Sequence, residues 1–378
     1  MAGPDLNLAA LYDPEAFAAE QARLGEVWTL VGFASDLPRE NDWFRTMLGG
    51  RSVFVQRFAD GLRGFENRCA HRSFPLRRAE RGNGPILCGF HHWRYDREGV
   101  AAGIPNCQDA FGVAPRELGR RLTRLELECC GDLIFARFPG RAETLRDFLG
   151  PAFEVLSLLC ADMRGAARSR LPARANWRLC QAITLDDYHL AAVHPGSFGR
   201  KGRYLPSAAL NYRRFGLHNY YFLGAHSGSL EDWAGLLRAG RRDPVGYRMV
   251  HLFPDSALVL SPAVHALGQS FRYMLLLRQV PVAPDRCETA VTLRRVQPDG
   301  AEATLIARFL DLFEPFRLWL ARRAALTIVG EDRAICEALQ EHPRQIAPDP
   351  PLGASEIRVA WFNEVYAAVM RGDGTPPP

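Results

Sequence analysis

Long apolar runs are missing from this chain of 378 residues. None approaches the roughly 18 consecutive apolar residues that a membrane span needs, so no membrane partner is expected. The opening MAGPDLNLAALYDPEAF lacks the charged start and apolar core of a secretion signal, and a cytoplasmic protein is the expectation. A compact basic run is missing outside Arg72 to Arg81, and the net charge of +5, mostly from arginine, is too diffuse to argue for nucleic acid. No GxGxxG-type fingerprint occurs, and Gly82-x-Gly84 is too short to count as more than a turn, so no nicotinamide or flavin site is expected. There are no internal repeats. Cysteine is present, but 9 residues scattered along a long chain do not resemble a secreted disulfide framework. Cys107, Cys129, Cys130, Cys160, Cys180, Cys287 and Cys336 sit in apolar or strand-like surroundings and read mostly as small buried hydrophobes.

What is present suggests two domains, 1–150 and 151–378. Asp13 before Pro14 opens an amphipathic helix that Gly25 closes. From Trp28 to Phe138 short strands alternate with turns. SVFVQRF and LRGFEN flank Asp60-Gly61, WRYDREGVAAG holds another turn, and LELECC and LIFARF flank Gly131-Asp132. A small all-β domain is expected there. ETLRDFLGPAFEVLSLL then reads as helix interrupted at Gly150-Pro151, MRGAARSRLPA as a weak strand and NWRLCQAITLDDYHLAAVH as a helix. YRMVHLF, ALVLS, SFRYMLLLRQV and ETAVTLRRV suit a twisted antiparallel sheet. Helices are expected over AEATLIARFLDLF, FRLWLARRAALTIV, EDRAICEALQEH beyond Gly330, and SEIRVAWFNEVYAAVM capped by Ser355, before a disordered tail GDGTPPP. The second domain is therefore expected to be α+β.

Two loops of the β region carry chemistry. Cys69-x-His71 and Cys88-x-x-His91 offer two thiolates and two imidazoles. Zinc would take all four as a tetrahedral staple. A two-iron cluster would take the thiolates on one iron and the imidazoles on the other. Each loop contributes one ligand of each kind, a mixture unlike zinc-finger spacing and suited to a cluster clamped from both sides.

A second histidine pair lies in LDDYHLAAVHPGSFG. His189 and His194 would point about 140° apart on a continuous helix, so they converge only if the helix ends between them. Pro195 disfavours helical geometry at His194 and predicts such a break. A two-histidine, one-carboxylate triad would further require a carboxylate and open positions. Asp186, three residues before His189, would share its helical face as a partner for the imidazole, while Asp187 would face elsewhere.

Cys69-Ala-His71-Arg72 with Cys88-Gly-Phe-His91-His92-Trp93-x-Tyr95-Asp96-x-x-Gly99 resembles the signature of the Rieske non-haem iron oxygenase, or aromatic ring-hydroxylating oxygenase, α subunits. Asn176-Trp177-x-Leu179 with Asp186-x-Tyr188-His189-x4-His194 resembles the same family, as does Glu331-Asp332-x4-Glu337-x2-Gln340. The resemblance covers nearly the whole chain. It implies an N-terminal all-β Rieske [2Fe–2S] domain, ligated by Cys69, His71, Cys88 and His91, followed by an α+β catalytic domain. There His189, His194 and Asp332 would hold mononuclear Fe(II), with Glu331 the runner-up carboxylate. Asp311 and Glu314 read instead as solvated helix faces. One departure is His92, where the family usually has glycine; the plainer reading points its side chain to solvent.

The resemblance further implies a homotrimer in which Asp186 bridges His91 of one subunit to His189 of the next, because the two metals of one subunit are too far apart for rapid transfer. It implies a terminal oxygenase, using O₂ and electrons from an NAD(P)H-dependent flavin reductase, with or without a ferredoxin, to hydroxylate or demethylate a small organic substrate. His194-Pro195-Gly196 is weakly closer to the monooxygenase and demethylase branches. His218, Tyr220 and Tyr221 are candidates for the pocket wall, around an arene or a quaternary ammonium group. Arg213, Arg214 or Arg272 are candidates for holding a carboxylate. A Rieske electron carrier without oxygenase chemistry and a zinc-stapled binding protein are the alternatives.

Overall fold

The computed structural model describes residues 6–161, 163–196, 210–223, 229–240, 247–260, 264–266, 269–296 and 311–372. The expected helix over AEATLIARFLDLF and the GDGTPPP tail lie largely or wholly outside these residues. The chain packs into two compact units, Leu24–Leu145 and the combination of Met1–Arg23 with Arg146–Pro378.

The smaller unit is all β but for the 3-10 turn Ala34–Asp36 and the short helix Cys107–Phe111. Its strands are β1 (Thr29–Phe33), β2 (Asp42–Leu48), β3 (Arg51–Phe58), β4 (Gly61–Glu66), β5 (Arg81–Asn83), β6 (Ile86–Leu87), β7 (Arg94–Tyr95), β8 (Ala101–Gly103), β9 (Glu126–Cys130) and β10 (Leu133–Arg137). They form three sheets ordered β1-β10-β9, β4-β3-β2-β5 and β6-β7-β8. The hairpins fall where the turn residues put them. β3 pairs with β4 across Asp60, with Phe58 opposite Gly61, and β9 pairs with β10 across Gly131-Asp132. One core, including Val31, Phe44, Val53, Val55 and Ile134, fills the space around the first two sheets. A second, including Phe54, Phe65, Trp93 and Tyr95, buries the side chains of Cys69 and Cys88. Gly99 serves this second core twice: its φ is +76°, and a Cβ there would lie 2.7 Å from the Phe65 ring.

The larger unit is built on one antiparallel sheet. Its strands are β11 (Arg164–Ala173), β12 (Leu210–Phe215), β13 (His218–Leu223), β14 (Arg248–Leu252), β15 (Ser256–Leu260), β16 (Val264–Ala266), β17 (Gln269–Ala283) and β18 (Arg286–Val296). Their order is β11-β18-β17-β15-β14-β13-β12, with β16 pairing β17. β14 and β15 are buried at every position, as strands covered on both faces must be. The helix Glu314–Gln340 packs on the sheet through Leu318, Ala325 and Val329 against Tyr273, Val291 and Leu293.

Four expectations need correction. The domain limits expected from the sequence place the helix Pro14–Leu24 in the first domain, yet residues up to Arg23 belong to the larger unit. The cause is Glu20, whose buried carboxylate accepts from Trp177 Nε1 at 3.0 Å and Tyr366 Oη at 2.5 Å and pairs with Arg178. The two helices expected on either side of Gly330 are one helix of 27 residues. A single glycine costs a helix only about 1 kcal/mol, less than the packing of Val329 and Cys336 returns. The final helix runs Ile357–Arg371 without a cap from Ser355, whose carbonyl instead accepts from Asp187 N. Asp311 and Glu314 are not merely solvated: both pair with Arg295 and Arg317.

Candidate functional site

In the smaller unit the two Cys/His loops follow one design. Cys69 O accepts from Ser73 N, and Cys88 O accepts from His92 N, each at 3.0 Å. The residue closing each loop is left-handed, Ser73 at φ +59° and His92 at φ +55°. Left-handed backbone favours glycine, so His92 occupies a glycine-type position with its side chain exposed to solvent. Tyr95, on β7, ties the loops together. Its hydroxyl lies 3.0 Å from Cys69 Sγ and accepts from Ala70 N at 3.0 Å. His71 stacks on Trp93 with ring centroids 4.6 Å apart and meets His91 edge-on at 4.7 Å. Burial, with the charges of His91 and Arg72 nearby, lowers the pKa of His71 and favours the neutral imidazole that a metal requires. Its Nδ1 is buried without a hydrogen-bond partner. That is the mark of a ligand atom whose metal would complete it.

In the larger unit the helix Trp177–Leu185 stops short of both histidines. Asp186 turns extended at φ −88° and ψ 119°, and its Oδ1 accepts from Tyr188 N at 2.6 Å and His189 N at 3.3 Å. A short helix, Leu190–Val193, follows, with His189 and His194 as its two flanking residues. The expected break after His189 is therefore two breaks. Pro195 accounts for the second, and the carboxylate of Asp186, competing with helix carbonyls for backbone N–H groups, accounts for the first.

The three expected ligand side chains meet. His189 Nε2 lies 3.2 Å from His194 Nε2, and Asp332 Oδ1 lies 3.3 Å from the first and 3.0 Å from the second. Among the described residues this is the group of His, Cys, Asp or Glu donors that closes within 4.8 Å. Asp332 Oδ1 is buried and faces both Nε2 atoms, as a shared ligand atom would. Glu331, the runner-up carboxylate, faces the other side of His194, its Oε2 2.7 Å from Nδ1. Asp186 Oδ2 approaches His189 Nδ1 at 3.6 Å. Burial works against charge on His189, but the carboxylates of Asp186 and Asp332 outweigh it and raise its pKa to about 9. A metal entering this set must displace a proton.

The elements that bring these residues together are held by the rest of the motif. Asn176 Oδ1 caps the helix Trp177–Leu185 through Arg178 N, and its Nδ2 donates to Ala10 O and Pro284 O. Gln340 accepts from Asn176 N and donates to Leu11 O, while Glu337 accepts from Arg174 N. Asp187 does not simply face elsewhere. It makes a buried ion pair with Arg358 at 2.7 Å and accepts from Tyr212 Oη at 2.9 Å, anchoring the loop before His189 to the last helix. Nothing in the family pattern signals that role, because Arg358 lies far along the chain.

A cavity of about 150 Å³ opens on the His189, His194 and Asp332 set, walled by Leu190, Met249, Val259, Leu275, Leu277 and Val329 among others. Tyr221 lines it as expected, but His218 and Tyr220 do not. His218 instead bridges structure: it is buried, with Nε2 2.8 Å from Phe148 O and Nδ1 accepting from Phe253 N. Burial lowers its pKa to about 4. None of the three candidate arginines is in the described wall. Arg214 pairs with Glu364 and Arg213 reaches the Tyr212 carbonyl.

Comparison with known proteins agrees with this geometry. Residues 160–372 match the ring hydroxylating alpha subunit (catalytic domain) family, and residues 27–118 match the Rieske [2Fe-2S] domain. The large oxygenase component of salicylate 5-hydroxylase from Ralstonia sp. is 32% identical over 183 residues, covering 44% of this chain and 43% of that protein. The chain thus matches less than half of that relative's length. Naphthalene 1,2-dioxygenase from Rhodococcus sp. bound to indole has the same fold, with a TM-score of 0.70 or better: 0.73 at 21% identity, over 96% of this chain and 93% of that one. The quaternary ammonium Rieske monooxygenase CntA gives a TM-score of 0.70 at 18% identity, covering 97% and 95%. By fold, motif order and family match over more than half its length, this chain belongs to the ring-hydroxylating oxygenase alpha subunits, with a Rieske [2Fe–2S] domain ahead of the catalytic domain.

Proposed function

We propose that the chain is a terminal oxygenase component that takes electrons from an NAD(P)H-dependent reductase, with or without a ferredoxin, and uses O₂ to hydroxylate or demethylate a small organic substrate. The observation that carries this reading is the convergence of His189 Nε2, His194 Nε2 and Asp332 Oδ1 at an apolar cavity, in a chain that also carries the paired Cys/His loops. In this reading Cys69, His71, Cys88 and His91 hold the cluster, and His189, His194 and Asp332 hold Fe(II). When bound, the cluster supplies single electrons and the iron, with positions left open, activates dioxygen.

The protein's own groups have definite tasks. Glu331 takes the Nδ1–H of His194, which fixes the tautomer that leaves Nε2 free to ligate. Asp186 stands in the equivalent place beside His189. The leucine, valine and methionine wall keeps water from the reacting centre and favours an apolar part of the substrate. With no lysine or arginine in the described wall, the arrangement supports an aromatic substrate without a buried carboxylate anchor. The rings of Tyr221 and Tyr247, also in the wall, support a quaternary ammonium group as the second reading.

A cytoplasmic homotrimer completes the proposal, with Asp186 joining His91 of one subunit to His189 of its neighbour. No described helix is long and apolar enough to cross a membrane. The test is O₂ uptake and product analysis with a surrogate reductase and a panel of neutral arenes, aromatic acids and quaternary ammonium compounds. Oxygenated product with one class supports the reading. Electron transfer to the cluster with no substrate-dependent O₂ consumption across the panel favours a carrier instead.

A further inference from the structure

Three cysteines of the larger unit lie together where the iron chemistry makes no use of them. Cys287 Sγ is 3.4 Å from Cys180 Sγ, and Cys336 also donates towards Cys180. All three are buried, at 4%, 1% and 1% exposure for Cys180, Cys287 and Cys336. They come from three elements: the helix Trp177–Leu185, strand β18, and the long helix one turn beyond Asp332. The three sulfurs are not among the described groups that close within 4.8 Å, so the close pair rather than a single-ion site is the feature to explain.

The close pair lies beneath the floor of a separate cavity of about 400 Å³, to which Cys287 contributes beside Arg174, Arg286, Arg333, Glu288 and Glu337.

We propose that Cys180 and Cys287 form an oxidisable dithiol, converted to a disulfide by hydrogen peroxide and restored by a thiol reductant. In the first step the Cys180 sulfur, the acceptor of the Cys287 thiol hydrogen, takes one oxygen from peroxide, giving a sulfenic acid and one water. In the second the Cys287 sulfur attacks that of Cys180, forming the S–S bond while the oxygen leaves as a second water. The two thiols lose two electrons and two hydrogens, and peroxide is reduced to two waters. Hydrogen bonds from the Cys287 and Cys336 thiols lower the pKa of Cys180, which suits it to be the sulfur that peroxide oxidises, while the same bond and burial raise that of Cys287. Closing the pair to the about 2.05 Å of a disulfide ties the helix that leads into His189 to the sheet.

The test is readable whatever reaction the enzyme catalyses. The three cysteines fall on separate arginine-bounded peptides, 179–200, 287–294 and 334–344. Purified holoprotein is treated with hydrogen peroxide, quenched with catalase, alkylated and digested with trypsin for mass spectrometry. The expected product is peptide 179–200 linked to 287–294 with loss of two hydrogens, disappearing after dithiothreitol. Cys287→Ser should leave peptide 179–200 without a disulfide partner after the same treatment, while Cys336→Ser should still give the linked pair. The proposal is overturned if Cys180 and Cys287 both stay alkylated, if Cys180 links to Cys336 instead, or if oxidation is confined to the exposed Cys129.

Discussion

Each imidazole of the candidate iron set has a carboxylate behind it, and the two kinds of carboxylate are separable by mutation. Asp332 meets both Nε2 atoms, whereas Glu331 meets only His194 Nδ1. Asp332→Ala should remove the mononuclear iron while the cluster keeps its two irons and two sulfides, read by iron and sulfide analysis. Glu331→Gln should only weaken iron binding by about 10–100-fold. Equal loss in both variants would make Glu331 a ligand. His218 carries a pH prediction. Its folded pKa is about 4 against an ordinary 6.5, so the folded state holds it neutral. The stability that goes with this is complete above about pH 6.5 and is lost as pH falls towards 4, about 3 kcal/mol in all. His251, also buried and held neutral, acts in the same direction. Denaturant midpoints across this range should fall with acid less steeply in His218→Gln; parallel curves would contradict the assignment. Much of the residue scale was legible because ligand chemistry demands particular residue types at short spacing. The outer partners were not: Asp187 finds Arg358 and His218 finds Phe148 only through tertiary packing.

At the scale of elements, turn residues and capping residues did most of the specifying. Asp60-Gly61 and Gly131-Asp132 placed two hairpins, and Gly150-Pro151 separates the helices Leu145–Leu149 and Ala152–Leu159. The sequence pattern makes Asp186 a helical residue, but its side chain ends the helix instead of extending it. Gly330 suggests a boundary by its residue type, but packing on both sides carries the helix through it. The same scale explains why Asn176, Glu337 and Gln340 accompany the ligands: they fasten the helix leading to His189 against the one bearing Asp332. Asn176 is fully buried, and its side chain makes three hydrogen bonds. Asn176→Ala removes a cap and strands two buried carbonyls, and should cost about 2–4 kcal/mol. A thermal midpoint within a degree or two of the parent would show that these bonds are not what holds the helix.

At the scale of the whole molecule, the two compact units each carry one candidate metal-ligating constellation. The proposed function requires electrons to pass between them across a subunit boundary. Asp186 is the residue assigned to that passage, in addition to its local bonds to the Tyr188 and His189 amides. Asp186→Ala should retain cluster and iron yet lose product formation, with Asp186→Asn, which preserves much of the local turn, equally impaired. Normal turnover in either variant would rule the bridge out. The domain order was legible from motif order, whereas the home of the N-terminal helix was not, since it depends on Glu20 meeting Trp177 and Tyr366 from opposite ends of the chain.

The most direct test of the two-metal reading is quantitative iron, zinc and acid-labile sulfide analysis of the purified protein, paired with electron paramagnetic resonance after dithionite reduction. The account predicts two sulfides for every three irons, a signal from the one-electron-reduced cluster, and one iron that a mild chelator removes without bleaching it. Protein that contains zinc and no labile sulfide, or cluster iron with no separately removable ion, would contradict it.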